Sequence, residues 1–270
     1  MNPPDPHAQE LLRLAASLAG SFGHERSCRF VSGRVLDVRH LVSFSRASLR
    51  CECDALLDRL RSGFGWPGDD APDLRALWGR ASHVHLGVES GPGRTVMKLY
   101  LESEDADLEE QPLADPVWGA VHRAFKWTPD GQGGVRITDY DALLAPGVGR
   151  RRALVDQVLG AAPGLRAVMF RLVSLAGSPG AMLLRVTERG TGRASVDVNL
   201  YPTNLRVGDL RALLAEAACA AGVSAADAAA WLTRVADAPL GHFAAGFDGE
   251  GRPFATVYHG VHECDGACLT

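Results

Sequence analysis

In the stretch TVMKLYLE (95–102), Lys98, Tyr100 and Glu102 alternate with Met97, Leu99 and Leu101. In a β-strand this puts a cation, a phenol and a carboxylate on one face and the apolar side chains on the other. Similar endings recur in VDVNLYP, with Asp197, Asn199 and Tyr201, and in FATVYHG, with Tyr258. Nearer the N-terminus, alternating positions carry Glu25, Ser27 and Arg29, then Asp37 and Arg39. If these faces line an enclosed cavity, its cations and hydroxyls are costly unless an anion binds there. A diphosphate suits the set, with Arg and Lys supplying charge and Tyr hydroxyls donating to the outer oxygens. On an open sheet the same alternation is an ordinary solvated face.

The surrounding elements decide between these readings. Residues 8–20 have helical spacing. Residues 27–45 read as two strands around Ser32-Gly33, and 53–65 as a helix with Leu56, Leu57 and Leu60 on one face, ending near Gly63 and Gly65. Clear hairpins follow at 83–105, 180–202 and 241–263, turning at Gly-Pro-Gly, Arg189–Gly192 and Asp248–Gly251. A helix is expected at 113–124, with Asp115 as cap and Pro116 in its first turn. GVRITDYDALL suggests a short strand and a turn, GRRRALVDQVLGAAPG a helix, and LRAVMFRLVSLAG fits helix or strand. VGDLRALLAEAACAAG and SAADAAAWLTRVA read as helices.

Strand, turn, strand, helix thus repeats at 26–64, 84–124 and 181–221, with a weaker copy at 134–175. A Rossmann sheet needs strict alternation of strands and helices, which this order lacks. The expected class is α/β (α+β): one domain over 1–270, an antiparallel ten-stranded β-barrel of ββα repeats with helices outside. Closure removes the strand edges. Helices outside force the apolar strand faces outward and the polar ones into the lumen, with Met97, Leu99 and Leu101 under the 113–124 helix.

The bulk composition removes other classes. The 270 residues are 46% hydrophobic and 22% charged, with net charge −4 and pI about 6.1. That is enough for a sizeable core and gives no basic excess for nucleic acid. No apolar run is long enough to span a membrane, and MNPPDPHAQELLRLAASLAG lacks a basic n-region, so a cytoplasmic protein with reduced thiols is expected. The six cysteines are scattered. His259, His262, Cys264 and Cys268 crowd the tail, but their spacing matches no strong zinc pattern, so no metal site is expected. DDAPD (69–73) has the letters of a DDxxD motif but sits among Pro67, Pro72 and glycines, and reads as a loop. GPGRTVMK lacks the GK[ST] of a P-loop, and GRRRAL reads as a solvated helix start.

With those residues in view, HERSCRFVSGRVLDVRHLVSF (24–44) resembles the first hairpin of cyanobactin-type peptide prenyltransferases, within the ABBA-fold aromatic prenyltransferase superfamily. The matching positions are Glu25, Ser27, Cys28, Arg29, Ser32, Arg34 and Arg39. LGVESGPGRTVMKLYLE resembles the second hairpin through Gly87, Glu89, Lys98 and Tyr100. VNLY and FAAGFDGEGRPFATVYH resemble later ones, the last through Phe243, Gly246 and Tyr258-His259. The likeness fades over 125–180.

The resemblance implies a prenyl diphosphate bound in the barrel, ionisation to an allylic cation, and alkylation of an electron-rich acceptor. It makes Glu25 the general base and gives the diphosphate to Arg39, Lys98, Tyr100, Asn199, Tyr201 and Tyr258. Glu89 falls on the acceptor side, and Phe243 and Ala244 at the prenyl chain. Members restricted to five-carbon donors carry a bulky aromatic where Ala244 stands, so a geranyl or longer donor is expected unless Phe247 or Trp231 fills the space. Mg²⁺ could neutralise the diphosphate without a dedicated protein site. The expected acceptor is a side chain of a ribosomally made, macrocyclic peptide. A small free phenol or indole is the alternative acceptor, and a non-catalytic binder of lipid diphosphate the alternative role. No nucleic-acid or membrane partner is expected, and His24 and His40 are read as structural.

Overall fold

The structure, a computed structural model, describes residues 5–68, 71, 73–91, 93–103, 118–143, 147–177 and 182–265. Helix α1 (Pro6–Leu18) opens the chain, its first turn capped by Asp5, whose side chain accepts from the Ala8 amide at 2.9 Å. Strands β1 (Ser21–Val31), β2 (Arg34–Leu36) and β3 (Val38–Ser45) precede helices α2 (Cys53–Phe64) and α3 (Leu74–Trp78). Four strands follow: β4 (Ala81–Gly91), β5 (Arg94–Ser103), β6 (Trp118–Trp127) and β7 (Arg136–Leu143). Helices α4 (Val148–Leu159) and α5 (Pro163–Ala176), strands β8 (Leu183–Glu188) and β9 (Ala194–Asn199), and helices α6 (Arg211–Ala220) and α7 (Ala225–Arg234) come next. Strands β10 (Leu240–Phe247) and β11 (Pro253–Asp265) complete the chain.

Every neighbouring pair is antiparallel, and β11 pairs with β1, closing the sheet. Strands β2 and β3 both lie against β1, opposite Arg29–Val31 and Gly23–Arg26, so they are two lengths of one barrel strand and the barrel has ten. The turn into β2 takes Ser32 and Gly33 at φ 49° and 75°, the paired left-handed positions of a tight hairpin.

Two apolar layers separate barrel from helices. Under α1–α3 lie Phe22, Val42, Phe44, Leu86, Met97, Leu99, Leu101 and Phe125. Trp66 stands edge-on to Trp127 at 4.8 Å, and the Trp127 indole donates to the Phe64 carbonyl at 2.8 Å. Under α4–α7 lie Cys28, Phe30, Val196, Val198, Phe243, Ala245, Ala255 and Val257, with Trp231 edge-on to Phe30 at 5.2 Å. The outward strand faces are therefore the apolar ones, and the lumen takes the polar ones.

Two expectations for the elements are corrected. Residues 118–124 belong to strand β6, not a helix, and 113–117, with Asp115 and Pro116, lie outside the described residues. Small and aromatic residues at mixed spacing there imitate a helical stripe. The stretch instead alternates, with Phe125 and Trp127 out and His122 and Lys126 in. Met97, Leu99 and Leu101 accordingly pack under the α1–α3 layer. LRAVMFRLVSLAG (165–177), which fitted helix or strand, is helical through Ala176, in helix α5 with Pro163 in its first turn. Of DDAPD, Asp73 is ion-paired with Arg123 at 3.0 Å, and 69, 70 and 72 lie outside the described residues, as does Cys268. No described helix is long and apolar enough to cross a membrane.

Candidate active site

Near the hairpin turns the lumen opens into a cavity of about 560 Å³, lined by nine basic and four acidic residues. Arg29 and Arg39 come from the first barrel hairpin, Lys98 from β5, Lys126 from β6, and Arg193 from just before β9. Burial, then Arg39, Lys126, Arg193 and Arg29, depress the Lys98 ammonium well below its usual range. Burial and Arg39 and Arg193 pull the Arg29 guanidinium down to about 9, and burial with Arg193 does the same in kind to Lys126. These cations repel one another in a low-dielectric space.

The carboxylates present answer only part of that charge. Glu188 is itself buried, and is held by Lys126 at 3.1 Å and Arg136 at 3.2 Å. Glu89 bridges Arg39 and Lys98, and Arg39 also donates to Ser27 Oγ at 3.1 Å. Among the described residues, Arg29 Nε and Arg193 Nη1 are buried with no hydrogen-bond partner, although Arg193 Nη1 lies 3.7 Å from Glu188 Oε2. Arg29 instead lies flat on the Phe254 ring, 3.7 Å from its centroid.

Deeper in the lumen, Tyr100, Tyr140 and Tyr258 gather around Arg39, with the Tyr100 and Tyr140 rings 5.8 Å apart. Burial raises all three phenols, so they stay protonated and available as donors. Past them Glu25 accepts a 2.5 Å hydrogen bond from the Tyr201 hydroxyl. Burial pushes the Glu25 carboxyl up to about 7, against the opposing pull of His242 and the Tyr201 bond. The approach depends on Gly241, because a Cβ there would lie 2.5 Å from Glu25 Oε1 and 2.8 Å from Tyr201 Cζ.

Beside Glu25, His242 Nδ1 pairs with Asp197 Oδ1 at 2.9 Å. Burial alone would lower this imidazole, but Asp197 outweighs it and raises the group. Across the lumen, His85 bonds Glu102 at 2.9 Å and Ser43 at 2.8 Å, with His122 3.7 Å from the same carboxylate. Burial would raise Glu102, but the His85 bond and His122 hold it down at about 2.

The strand order matches a known architecture. The chain superposes on PriB bound to its product diphosphate with TM-score 0.58 and 16% identity, over 88% of this chain and 79% of that one. The 6-dimethylallyltryptophan synthase of Micromonospora olivasterospora, solved with DMASPP and Trp, aligns with TM-score 0.55 and 14% identity over 88% and 81%. The 5-dimethylallyltryptophan synthase of Streptomyces coelicolor aligns with TM-score 0.55 and 12% identity over 87% and 80%. The fold is the ABBA barrel. No protein-family model matches the sequence, and no curated protein matches it.

Within this barrel, the expected residues fall in three groups. Arg39, Lys98, Tyr100, Tyr258 and Glu25 all face one lumen. Tyr201 also faces it, but at Glu25 and not at the cation cavity. Ala244 lines the lumen between Asp197 and Thr256.

Four residues are corrected. Phe243, one position from Ala244, points outward into the layer under α4–α7. Asn199 uses its side chain to accept from the Tyr201 amide at 3.0 Å, tying down a turn. Glu89, expected on the acceptor side, sits among the cations, bridging Arg39 and Lys98. Asp37 falls at the break between β2 and β3, where it pairs with Arg234 on the outside. Neither proposed filler of the Ala244 space reaches it, since Trp231 and Phe247 pack in the outer layer; Phe254 is the aromatic that borders it.

Lys126, Tyr140, Glu188, Arg193, His85, His122 and His242 were not anticipated. Strand parity could have found Tyr140, since Arg136, Thr138 and Tyr140 alternate in RITDYD. His24 and His40 lie on the outer face, their rings nearly coplanar and edge to edge, with centroids 5.3 Å apart. A larger groove, about 610 Å³, runs outside the barrel between Phe170 and Leu213, away from all these groups.

Proposed function

We propose that this protein transfers a prenyl group from its diphosphate to a side chain of a ribosomally made, macrocyclic peptide. One observation carries the reading: a cavity of buried, mutually repelling cations shares a lumen with a buried carboxyl held near 7, and three neutral tyrosines stand between. A diphosphate relieves the repulsion and offers an acceptor to Arg29 Nε and Arg193 Nη1, which lack a hydrogen bond. Arg29, Arg39, Lys98, Lys126 and Arg193 hold it, and Tyr100 and Tyr258 donate to its oxygens. As the C–O bond breaks, the electron pair stays on the diphosphate, where those donors stabilise it. The allylic cation forms among the tyrosine rings, whose faces favour positive charge. The acceptor carbon, nitrogen or oxygen attacks that cation, and Glu25 takes the proton the acceptor loses. A base near 7 suits that task, since a large fraction of it is ionised at neutral pH while it stays basic enough to act.

All four carboxylates of the cavity, Glu89, Glu188, Asp248 and Glu250, are committed to ion pairs, so they form no ready cage for Mg²⁺, and side chains meet the charge of the donor. Ala244 on the lumen wall supports a geranyl or longer donor, with Phe254 setting the limit. The peptide acceptor rests on the hairpin resemblance. A small free aromatic is the second reading, favoured by the two dimethylallyltryptophan synthases among the similar structures.

The deciding experiment incubates the protein with dimethylallyl, geranyl or farnesyl diphosphate, against linear and cyclic peptides and free tryptophan and phenols, read by mass. A prenylated peptide, lost in both Glu25→Gln and Lys98→Ala, supports the proposal. Adducts on free aromatics alone replace the peptide with the second reading. Diphosphate binding without any adduct leaves a binder and ends the enzymatic reading.

A further inference from the structure

We propose that His24, His262 and Cys264 form a zinc site on the outer face of the barrel, at the seam where β11 closes on β1. His24 stands directly opposite His262, and Phe22 opposite Cys264, so the three side chains share one face at neighbouring positions. Their ligand atoms all lie within 4.8 Å of one another. Ligands about 2.0–2.3 Å from one tetrahedral zinc need only a modest contraction from there.

A register shift brings them together. Arg26 pairs with His259 but His24 with His262, so β11 carries one extra residue here, at Gly260 in the left-handed region with φ 71°. Without that bulge, Val261 and Glu263 would take the two facing positions. With it, an imidazole and a thiol do.

Both rings carry an outer hydrogen bond of the kind that orients zinc-bound histidines. His262 Nδ1 donates to the Gly260 carbonyl at 2.8 Å, which leaves Nε2 for an ion. His24 Nε2 bonds His40 Nδ1 at 3.0 Å, and when His24 donates, its own Nδ1 keeps the lone pair. Two imidazoles and a thiolate select zinc over Mg²⁺ or Ca²⁺. The tail spacing hid the site because its third ligand comes from the other end of the chain. The lumen triad of His85, Glu102 and His122 is the competing cluster, but it is all-nitrogen-and-oxygen and largely satisfied by its own hydrogen bonds.

The test uses the full-length protein, stripped with a chelator and titrated with Zn²⁺ against a chromophoric competitor, then with Co²⁺ to read the thiolate charge-transfer band. One ion per chain is expected. Cys264→Ser should abolish the band, and both Cys264→Ser and the exposed His262→Ala should weaken zinc at least tenfold. His40→Ala, which removes only an outer hydrogen bond, should weaken it about 10–100-fold. His122→Asn should bind zinc as the parent does. No zinc binding, or binding that survives Cys264→Ser and His262→Ala, overturns the site; loss in His122→Asn alone would move the ion to the lumen. Because His262 is exposed, its variant does not rest on refolding a core. None of these readouts needs prenyl transfer, so the site and the proposed activity stand or fall separately.

Discussion

The two ends of the lumen are built from the same alternating strands yet solve opposite electrostatic problems. At the hairpin end, cations outnumber carboxylates and depress one another. At the other, Glu25, Asp197 and Glu102 face histidines, and each carboxylate has a named donor: Tyr201, His242 and His85. The difference teaches that an unsatisfied charge excess, more than the mere presence of charge, marks where a ligand is required. Under the proposed function, the end with the excess takes the diphosphate, and the balanced end takes the acceptor and its proton.

The largest expected effect breaks the balanced end. Glu25→Gln keeps the shape but cannot take a proton, and should lower kcat about 10²–10⁴-fold with little change in donor KM. In the parent, the base is active only when ionised. Its carboxyl is raised to about 7, so kcat/KM should rise with pH through that value, and the limb should vanish in Glu25→Gln. A flat profile across neutral pH would remove Glu25 from the mechanism.

Breaking the charged end comes next. Lys98→Ala should cost roughly 10²–10³ in kcat, by analogy with the loss of one oxyanion donor, and should raise donor KM as well. If only acceptor KM moves, the two ends have been assigned the wrong way round. Gly241→Ala tests the link between them from outside the chemistry. The added methyl must push Glu25 and Tyr201 apart, and a displacement near 1 Å should cost about 10²-fold with the fold intact by circular dichroism.

Ala244→Phe sharpens the comparison by narrowing the middle of the lumen. It should shift the geranyl-to-dimethylallyl ratio of kcat/KM toward dimethylallyl by roughly 10–200-fold. An unchanged ratio would place the chain elsewhere. The smallest effect is expected for Asp37→Ala, which loses an outer ion pair with Arg234. Stability should change by about 0–1 kcal/mol and the rate hardly at all, measured by denaturant titration and steady-state kinetics.

Much of this architecture was legible in the chain. Period-two alternation around Lys98, Asp197 and Tyr258 gave both the strands and their inward faces, because helices outside a barrel allow only one orientation. Where the reading failed, the cause was local. Phe243 and Ala244 were treated as neighbours in one pocket, although adjacent strand residues point to opposite sides. Asp37 was counted in phase with Arg39, although the strand breaks at that residue. Tyr201 looked like a third tyrosine on the diphosphate, but strand β9 ends at Asn199 and the turn redirects the phenol to Glu25. The Glu89 bridge and the His85–Glu102–His122 group were invisible because they depend on cross-strand register, which is set by turns and a bulge and leaves no linear motif.

The hairpin turns have a wider consequence. Residues 32–33 and 248–251 leave little freedom to the end that holds Arg29 and Arg193, while at the opposite end β3 leads to β4, β7 to β8 and β9 to β10 through helices. Insertions there, far from the cations, are the kind that folds tolerate best. Under the proposed function, a lineage built on this scaffold can therefore exchange what it modifies by rewriting one rim, and inherit the means of activating the donor unchanged.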